Sequence, residues 1–271
     1  MMNFRCYSYC AMLLVLGAFV SPGWGDEMSR TEREKFFKKA KIVYARDLGV
    51  GATKPLKVKL NDGKREMKAI FKSIDLRMEM PTRFGSETVG EYSDSYKHVI
   101  AAYELDKLLG LGMLPVAVER RIKGKKGSLR EWVEEVMPRY GHGALPPEEI
   151  VDKVQLVWFF DYLIYNTDRR VHNVMLGENW APVLIDHTLA FGTFEKPFRP
   201  LYRFPREVVD RLRVLERKQV KKALGRYLRG NQIEALWRRR SRVLDMVDRA
   251  VQQRGPEDVY FSVQDGEIIS G

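Results

Sequence analysis

Between Glu148 and Tyr165 the chain carries apolar residues at Ile150, Val151, Val154, Leu156, Val157, Phe159, Phe160, Leu163 and Ile164. On a helix of about 3.6 residues per turn these positions cover nearly the whole circumference, so other elements must enclose the segment. Pro147 sits where a helix start tolerates it. The segment delivers the chain directly to Asn166-Thr167-Asp168. Asn173 lies five positions after Asp168, and Asp186 closes the apolar run Val183-Leu184-Ile185.

That order of groups is the one phosphoryl transfer requires. One carboxylate, Asp168, would receive the proton of an acceptor hydroxyl, while an amide and a second carboxylate, Asn173 and Asp186, would hold a Mg²⁺ or Mn²⁺ ion on the phosphates of ATP through hard oxygen ligands. Arg169 and Arg170 would add positive charge near the transferring group. An Asp five residues before an Asn is common. The run-ending Asp186, the enclosed helix upstream and a strand ending in Lys72 make the combination specific.

At 271 residues and 45% hydrophobic content the chain can bury such a core, as one large domain or as two lobes. Its 47 basic and 36 acidic residues give a net charge of +11, which suits anionic partners such as nucleotides, lipid headgroups or acidic peptides. A nucleic-acid reading would rest on charge alone. The basic runs Lys123-Gly124-Lys125-Lys126 and Arg238-Arg239-Arg240 are expected as a solvated turn and helix face, with an acidic acceptor or an anionic membrane surface as the other reading.

Residues 1–25 have the layout of a signal peptide: Arg5 in a short leading region, an apolar core over Cys10–Val20, and the exit Ser21-Pro22-Gly23-Trp24-Gly25. The core is shorter than the roughly 20 residues of a relaxed membrane span. Export with cleavage near Gly25 is the expectation, and an uncleaved N-terminal anchor is the alternative. Cys6 and Cys10 both lie in this leader. The mature chain would then have neither disulfides nor thiol chemistry.

Residues 26–45 read as a short amphipathic lead-in helix on Phe36, Phe37, Ala40, Ile42 and Val43, and 46–140 as a first lobe. Gly49 and Gly51 mark a turn; Leu56–Leu60 alternates as a half-buried strand; Asn61-Asp62-Gly63 is a hairpin signal, and Glu66–Ser73 returns with Met67, Ala69 and Phe71 on one face. Lys72 ends that strand. Residues 76–95 read as a loop, and a helix from Tyr96 stops at Gly110. A strand over 116–122 leads through a basic turn to 128–136, and 141–147 is Gly- and Pro-rich enough for a linker. The second lobe is expected over 148–256, with helices at 205–228 and 232–253, before a tail over 257–271.

The stretch Asp161–Arg169, then Asn173, then Ile185-Asp186-His187-Thr188-Leu189-Ala190-Phe191, resembles the catalytic core of the atypical kinases. It is most similar to the secretory-pathway group of four-jointed and Golgi casein kinases, with type II phosphatidylinositol 4-kinases and HipA kinases more distant. Ala101–Leu111 followed by Pro115 is similar to the helix before the hinge in the same group. The resemblance implies an α+β, two-lobed protein-kinase-like fold, with a small β-rich N-lobe and a mainly helical C-lobe. It implies ATP with Mg²⁺ or Mn²⁺, Lys72 on the phosphates under a turn bearing Gly49 and Gly51, Asp168 as base, and Asn173 and Asp186 as metal ligands.

Two positions depart from the pattern. The Glu that pairs with the strand Lys is replaced by Val99-Ile100, so Glu104 is the expected substitute, with Glu87 and Glu91 as alternatives. Asp186-His187-Thr188 stands where classical kinases have Asp-Phe-Gly, a change that atypical kinases commonly tolerate. A non-catalytic, nucleotide-binding relative of the kinases and a lipid or small-molecule kinase are the rival readings. His172 is a candidate acceptor contact and His187 adjoins the metal Asp. His98 and His142 are expected on the surface, and Trp132, Trp158 and Trp237 in the core.

Overall fold

The structure, a computed structural model, describes residues 28–49, 53–78, 83–84, 87–88, 92–134, 147–177 and 181–263. The expected leader, Gly51, Glu91, His142 and residues 141–146 of the expected linker lie outside the described residues.

The first helix, α1 (Arg30–Lys39), starts at a capping box in which Ser29 and Glu32 satisfy each other's backbone N–H groups. It is shorter than the expected lead-in helix. Ile42 and Val43 belong to strand β1 (Lys41–Asp47), paired antiparallel with β2 (Leu56–Asn61). Arg120 donates to the carbonyls of Phe37 and Ala40 at the helix end, which frees the β-branched pair to extend. The hairpin from β2 to β3 (Glu66–Lys72) forms as read, with Gly63 at φ 92° and Asp62 Oδ1 accepting from the N–H groups of Lys64 and Arg65.

The expected loop over 76–95 contains four short strands: β4 (Asp75–Met78), β5 (Arg83–Phe84), β6 (Glu87–Thr88) and β7 (Tyr92–Ser95). β4 and β7 pair antiparallel, Asp75 opposite Ser95. At four residues each they are too short for an alternating pattern to stand out, so only the backbone pairing reveals them. Ser95 then caps α2 (Tyr96–Leu109), which ends at Gly110 in the left-handed region, φ 61°. β8 (Ala117–Ile122) and β9 (Lys125–Glu131) complete a five-stranded antiparallel sheet in the order β1-β2-β3-β9-β8. Val58, Leu60, Ala69, Phe71 and Leu129 are buried on it, and α2 packs against β8 and β9.

The enclosed helix is α3 (Pro147–Ile164), with Phe159, Phe160, Leu163 and Ile164 wholly buried. Each such side chain removed from water stabilises the fold by about 1.5–3 kcal/mol. A one-turn 3₁₀ segment (Val171–Asn173) and the hairpin β10 (Val174–Leu176) and β11 (Pro182–Leu184) follow. The single helix expected over 205–228 is instead β12 (Phe204–Pro205), α4 (Arg206–Val214) and α5 (Arg217–Leu224). The break falls at Leu215, because Glu216 and Gln219 form a capping box that starts a new helix. The long helix α6 (Gly230–Arg254) closes the lobe, and α7 (Pro256–Val259) leads to β13 (Tyr260–Phe261), parallel to β12. The architecture is α+β and two-lobed, with seven helices among the described residues.

Candidate active site

After α3 the chain turns sharply. Tyr165 takes φ 49°, and Asn166 N donates to Asp161 O at 2.8 Å. The Asp161 carboxylate, fully buried, accepts from Asn166 Nδ2 at 3.0 Å and from Arg169 Nε and Nη2 at 2.9 and 2.8 Å. Burial raises its pKa while the Arg169 and Asn166 bonds oppose the shift. Arg169 Nη1 donates onward to the carbonyls of Asn173 (3.0 Å) and Ile185 (2.8 Å), and Nη2 meets His187 Nε2 at 2.9 Å. A guanidinium only donates, so His187 Nε2 is the acceptor and its ring is neutral. Burial, then the Arg169, Arg130 and Lys72 charges, holds His187 well below the usual histidine range.

This corrects the expectation for Arg169. Its guanidinium is 4% exposed and spent on the loop, fastening α3, Asn173 and the end of β11 together, so it does not supply charge to a transferring group. What it fixes are the backbones that carry Asn173 and Asp186.

Lys72, Asp168, Asn173 and Asp186 line one cleft of about 880 Å³, within the range of small-molecule sites. Lys72 Nζ lies 2.7 Å from Asp186 Oδ1. Asp186 sits at φ 61°, a strained conformation for a side chain other than Gly and one that recurs at functional sites. Asp168 is partly exposed and accepts from Arg170 Nε at 3.1 Å. Asn173 is buried, the Arg170 carbonyl accepting its N–H and its own carbonyl accepting from Ile185 N. His172 lines the same cleft, and Leu48, Pro55, Ile70 and Val133 form apolar walls.

Glu104 is not on Lys72. It pairs with Lys107 one turn along α2, at 3.2 Å, and among the described residues the carboxylate that holds Lys72 is Asp186. Gly49, at φ 78°, closes a turn on Asp47 Oδ1 with its N–H. His98 is likewise not on the surface: it is 2% exposed, and its Nδ1 donates to Thr188 O at 2.8 Å. Ser95 N donates to the same carbonyl at 2.9 Å, so the start of α2 is tied to the segment that follows Asp186.

Three cleft residues escaped the sequence reading. Asp94 on β7 lines the cleft, and its Oδ1 is enclosed with no hydrogen-bond donor. Arg130 on β9 faces Asp186, whose charge acts on it. Trp132, expected in the core, forms part of the wall, with Lys57 Nζ 4.8 Å from its ring centre. A polar residue in a short strand and a charged residue inside a sheet strand give no local signal of what they face.

Among the described residues no three His, Cys, Asp or Glu side chains gather into a metal site on their own. The hard-oxygen donors that line the cleft are the Asn173 amide and the Asp186 carboxylate. Such a hard-oxygen set fits Mg²⁺ or Mn²⁺ when phosphate and water oxygens complete the shell.

No protein-family model matches the chain, and no curated protein matches it. Solved structures do. A hydra Fam20 structure with sugar matches at TM-score 0.58 and 18% identity, over 86% of this chain and 92% of that one. The Golgi casein kinase matches at TM-score 0.59 and 14% identity, over 87% and 80%. Its complex with Mn and ADP matches at TM-score 0.58 over the same shares. The chain has an atypical kinase-like fold. Within the kinase-like fold, β3 comes from the sheet lobe and the loop after α3 from the helical lobe. The cleft between them is where Lys72 meets Asp186.

Proposed function

We propose that the protein is an exported phosphotransferase that moves the γ-phosphoryl group of ATP to a hydroxyl of a protein, a glycan or a small acceptor. The observation that carries this reading is the convergence of Lys72, Asp168, Asn173 and Asp186 on one cleft, from opposite sides of the fold. Lys72 binds the nucleotide phosphates. Asn173 and Asp186 would hold a Mg²⁺ or Mn²⁺ ion, whose chemistry when bound is to neutralise charge on the phosphates. The apolar walls suit a flat base. The acceptor oxygen forms a bond to the γ-phosphorus as the bond to the bridging oxygen breaks; its proton passes to Asp168 and ADP keeps the bonding pair.

Export rests on the leader sequence. The Golgi casein kinase with Mn and ADP bound supports a nucleotide and a divalent ion in a fold of this kind. One feature favours a non-catalytic nucleotide-binding relative instead: Val99, buried on α2, stands where the resemblance expects a Glu, and Lys72 has Asp186 for its partner. ATP turnover with Mn²⁺, measured for the wild type and Asp168→Asn, separates the two. A phosphotransferase turns ATP over and loses at least about 100-fold in the variant. Equal background rates from both proteins would contradict it.

A further inference from the structure

β9 lies beside β3 with Arg130 opposite Ile70 and Ser128 opposite Lys72. Because side chains alternate along a strand, Ile70, Lys72 and Arg130 share one face of the sheet. All three line the cleft. Arg130 Nη1 donates to Glu131 O at 2.9 Å, and among the described residues that carbonyl is its hydrogen-bond acceptor. Among the described residues the carboxylates of Asp186 and Glu131 act on its charge. Asp186 is already bound to Lys72, and Glu131 faces Arg33 at 3.6 Å.

Burial lowers the Arg130 guanidinium to about 10, so it remains charged at neutral pH. Its remaining donors open onto the cleft, none of them enclosed without a partner, and so stand ready to take an anion there. Lys72 offers the same space a compact point charge that it shares with Asp186. Arg130 offers planar, paired donors, which match the oxygens of a phosphate group.

We propose that Arg130 is a second phosphate-binding cation of the cleft, taking two oxygens of a nucleotide phosphate with its guanidinium. The inference rests on the reading of the cleft as a nucleotide site and adds a residue that sets affinity for the phosphates as against the base. It makes the phosphate region doubly cationic, so nucleotides with more phosphates gain more from it than adenosine does.

Calorimetric titration of ADP and of adenosine into the wild type, Arg130→Gln and Arg130→Lys tests it. Loss of a charge-assisted bond pair predicts that Arg130→Gln binds ADP about 10-fold more weakly and adenosine as the wild type does. Arg130→Lys keeps the charge without the fork and falls between. If the Gln variant does not fold, the Lys variant carries the test by the same ADP-to-adenosine comparison. Unchanged ADP affinity, or equal weakening for both ligands, would overturn the proposal. A wild type that binds neither ligand overturns the nucleotide-site reading itself, whatever Arg130 does.

Discussion

Lys72 Nζ and Asp186 Oδ1 stand 2.7 Å apart although 114 residues separate them in sequence. The pair joins the last residue of β3 to the second residue after β11, and so spans the cleft between sheet and helices. Lys72 is largely buried at 15% exposure, whereas Asp186 is 39% exposed, so solvent screens the pair from one side. It orients the two groups more than it stabilises the fold. Lys72→Met is therefore expected to lower ATP turnover by at least about 100-fold while changing unfolding free energy by less than about 1 kcal/mol. Steady-state turnover beside a urea titration checks both halves.

Arg169 behaves in the opposite way. Its bidentate bond to Asp161 and its three further contacts are enclosed, and removing it leaves a buried carboxylate with Asn166 as its remaining donor. Arg169→Ala should cost about 3–5 kcal/mol of stability, and Arg169→Lys should recover only part of it because the fork is lost. Chemical denaturation of both variants gives the answer. A destabilisation below about 1 kcal/mol would mean that Arg169 does not fasten the loop.

Gly127 crosses directly behind Lys72. A Cβ there would lie 2.3 Å from Lys72 O and 2.6 Å from Phe71 Cζ, so the strand itself has to shift. Gly127→Ala should lower stability by about 1–3 kcal/mol and weaken ADP binding with it, since the displaced backbone carries Lys72. Thermal melts with and without ADP report the two effects separately.

Stability should fall on mild acidification through His98. Burial lowers its pKa to about 4, against 6.5 for the unfolded group, and outweighs the hydrogen bond to Thr188, which raises it. The folded state therefore stays neutral while the unfolded state takes up a proton, so the contribution is complete above pH 6.5 and is lost as pH falls toward 4. The full loss is about 3 kcal/mol. Buried Asp106, raised to about 6, acts in the other direction over part of this range. The His98→Gln variant isolates the histidine: its stability should depend less on pH between 4 and 6.5 than the wild type's. Parallel pH profiles would contradict the assignment.

The sequence made the catalytic stretch legible because its polar residues sit at the ends of apolar runs, where periodicity breaks. Asp168 follows the enclosed helix, Asp186 ends a strand-like run and Lys72 ends a hairpin. Less of the rest could be read. β4 and β7 are held by backbone pairing between segments of only four residues, and Ile42 and Val43 fit a helix until the cap at Ala40 is seen. Asp94 and Arg130 acquire meaning only once β7 and β9 border the cleft. Arg169 looked like a free charge because nothing local reveals Asp161 beneath it. Glu104 lies little more than a turn beyond the position where the resemblance expects a Glu, but it pairs with Lys107, and among the described residues Asp186 is the carboxylate on Lys72.

The most direct measurement is calorimetric titration of ADP, with and without Mn²⁺, into the wild type and Asp186→Ala. The account predicts ADP binding that Mn²⁺ strengthens by at least about 10-fold in the wild type, and no strengthening in the variant. ADP binding that is absent from the wild type, or indifferent to both Mn²⁺ and the substitution, would contradict it.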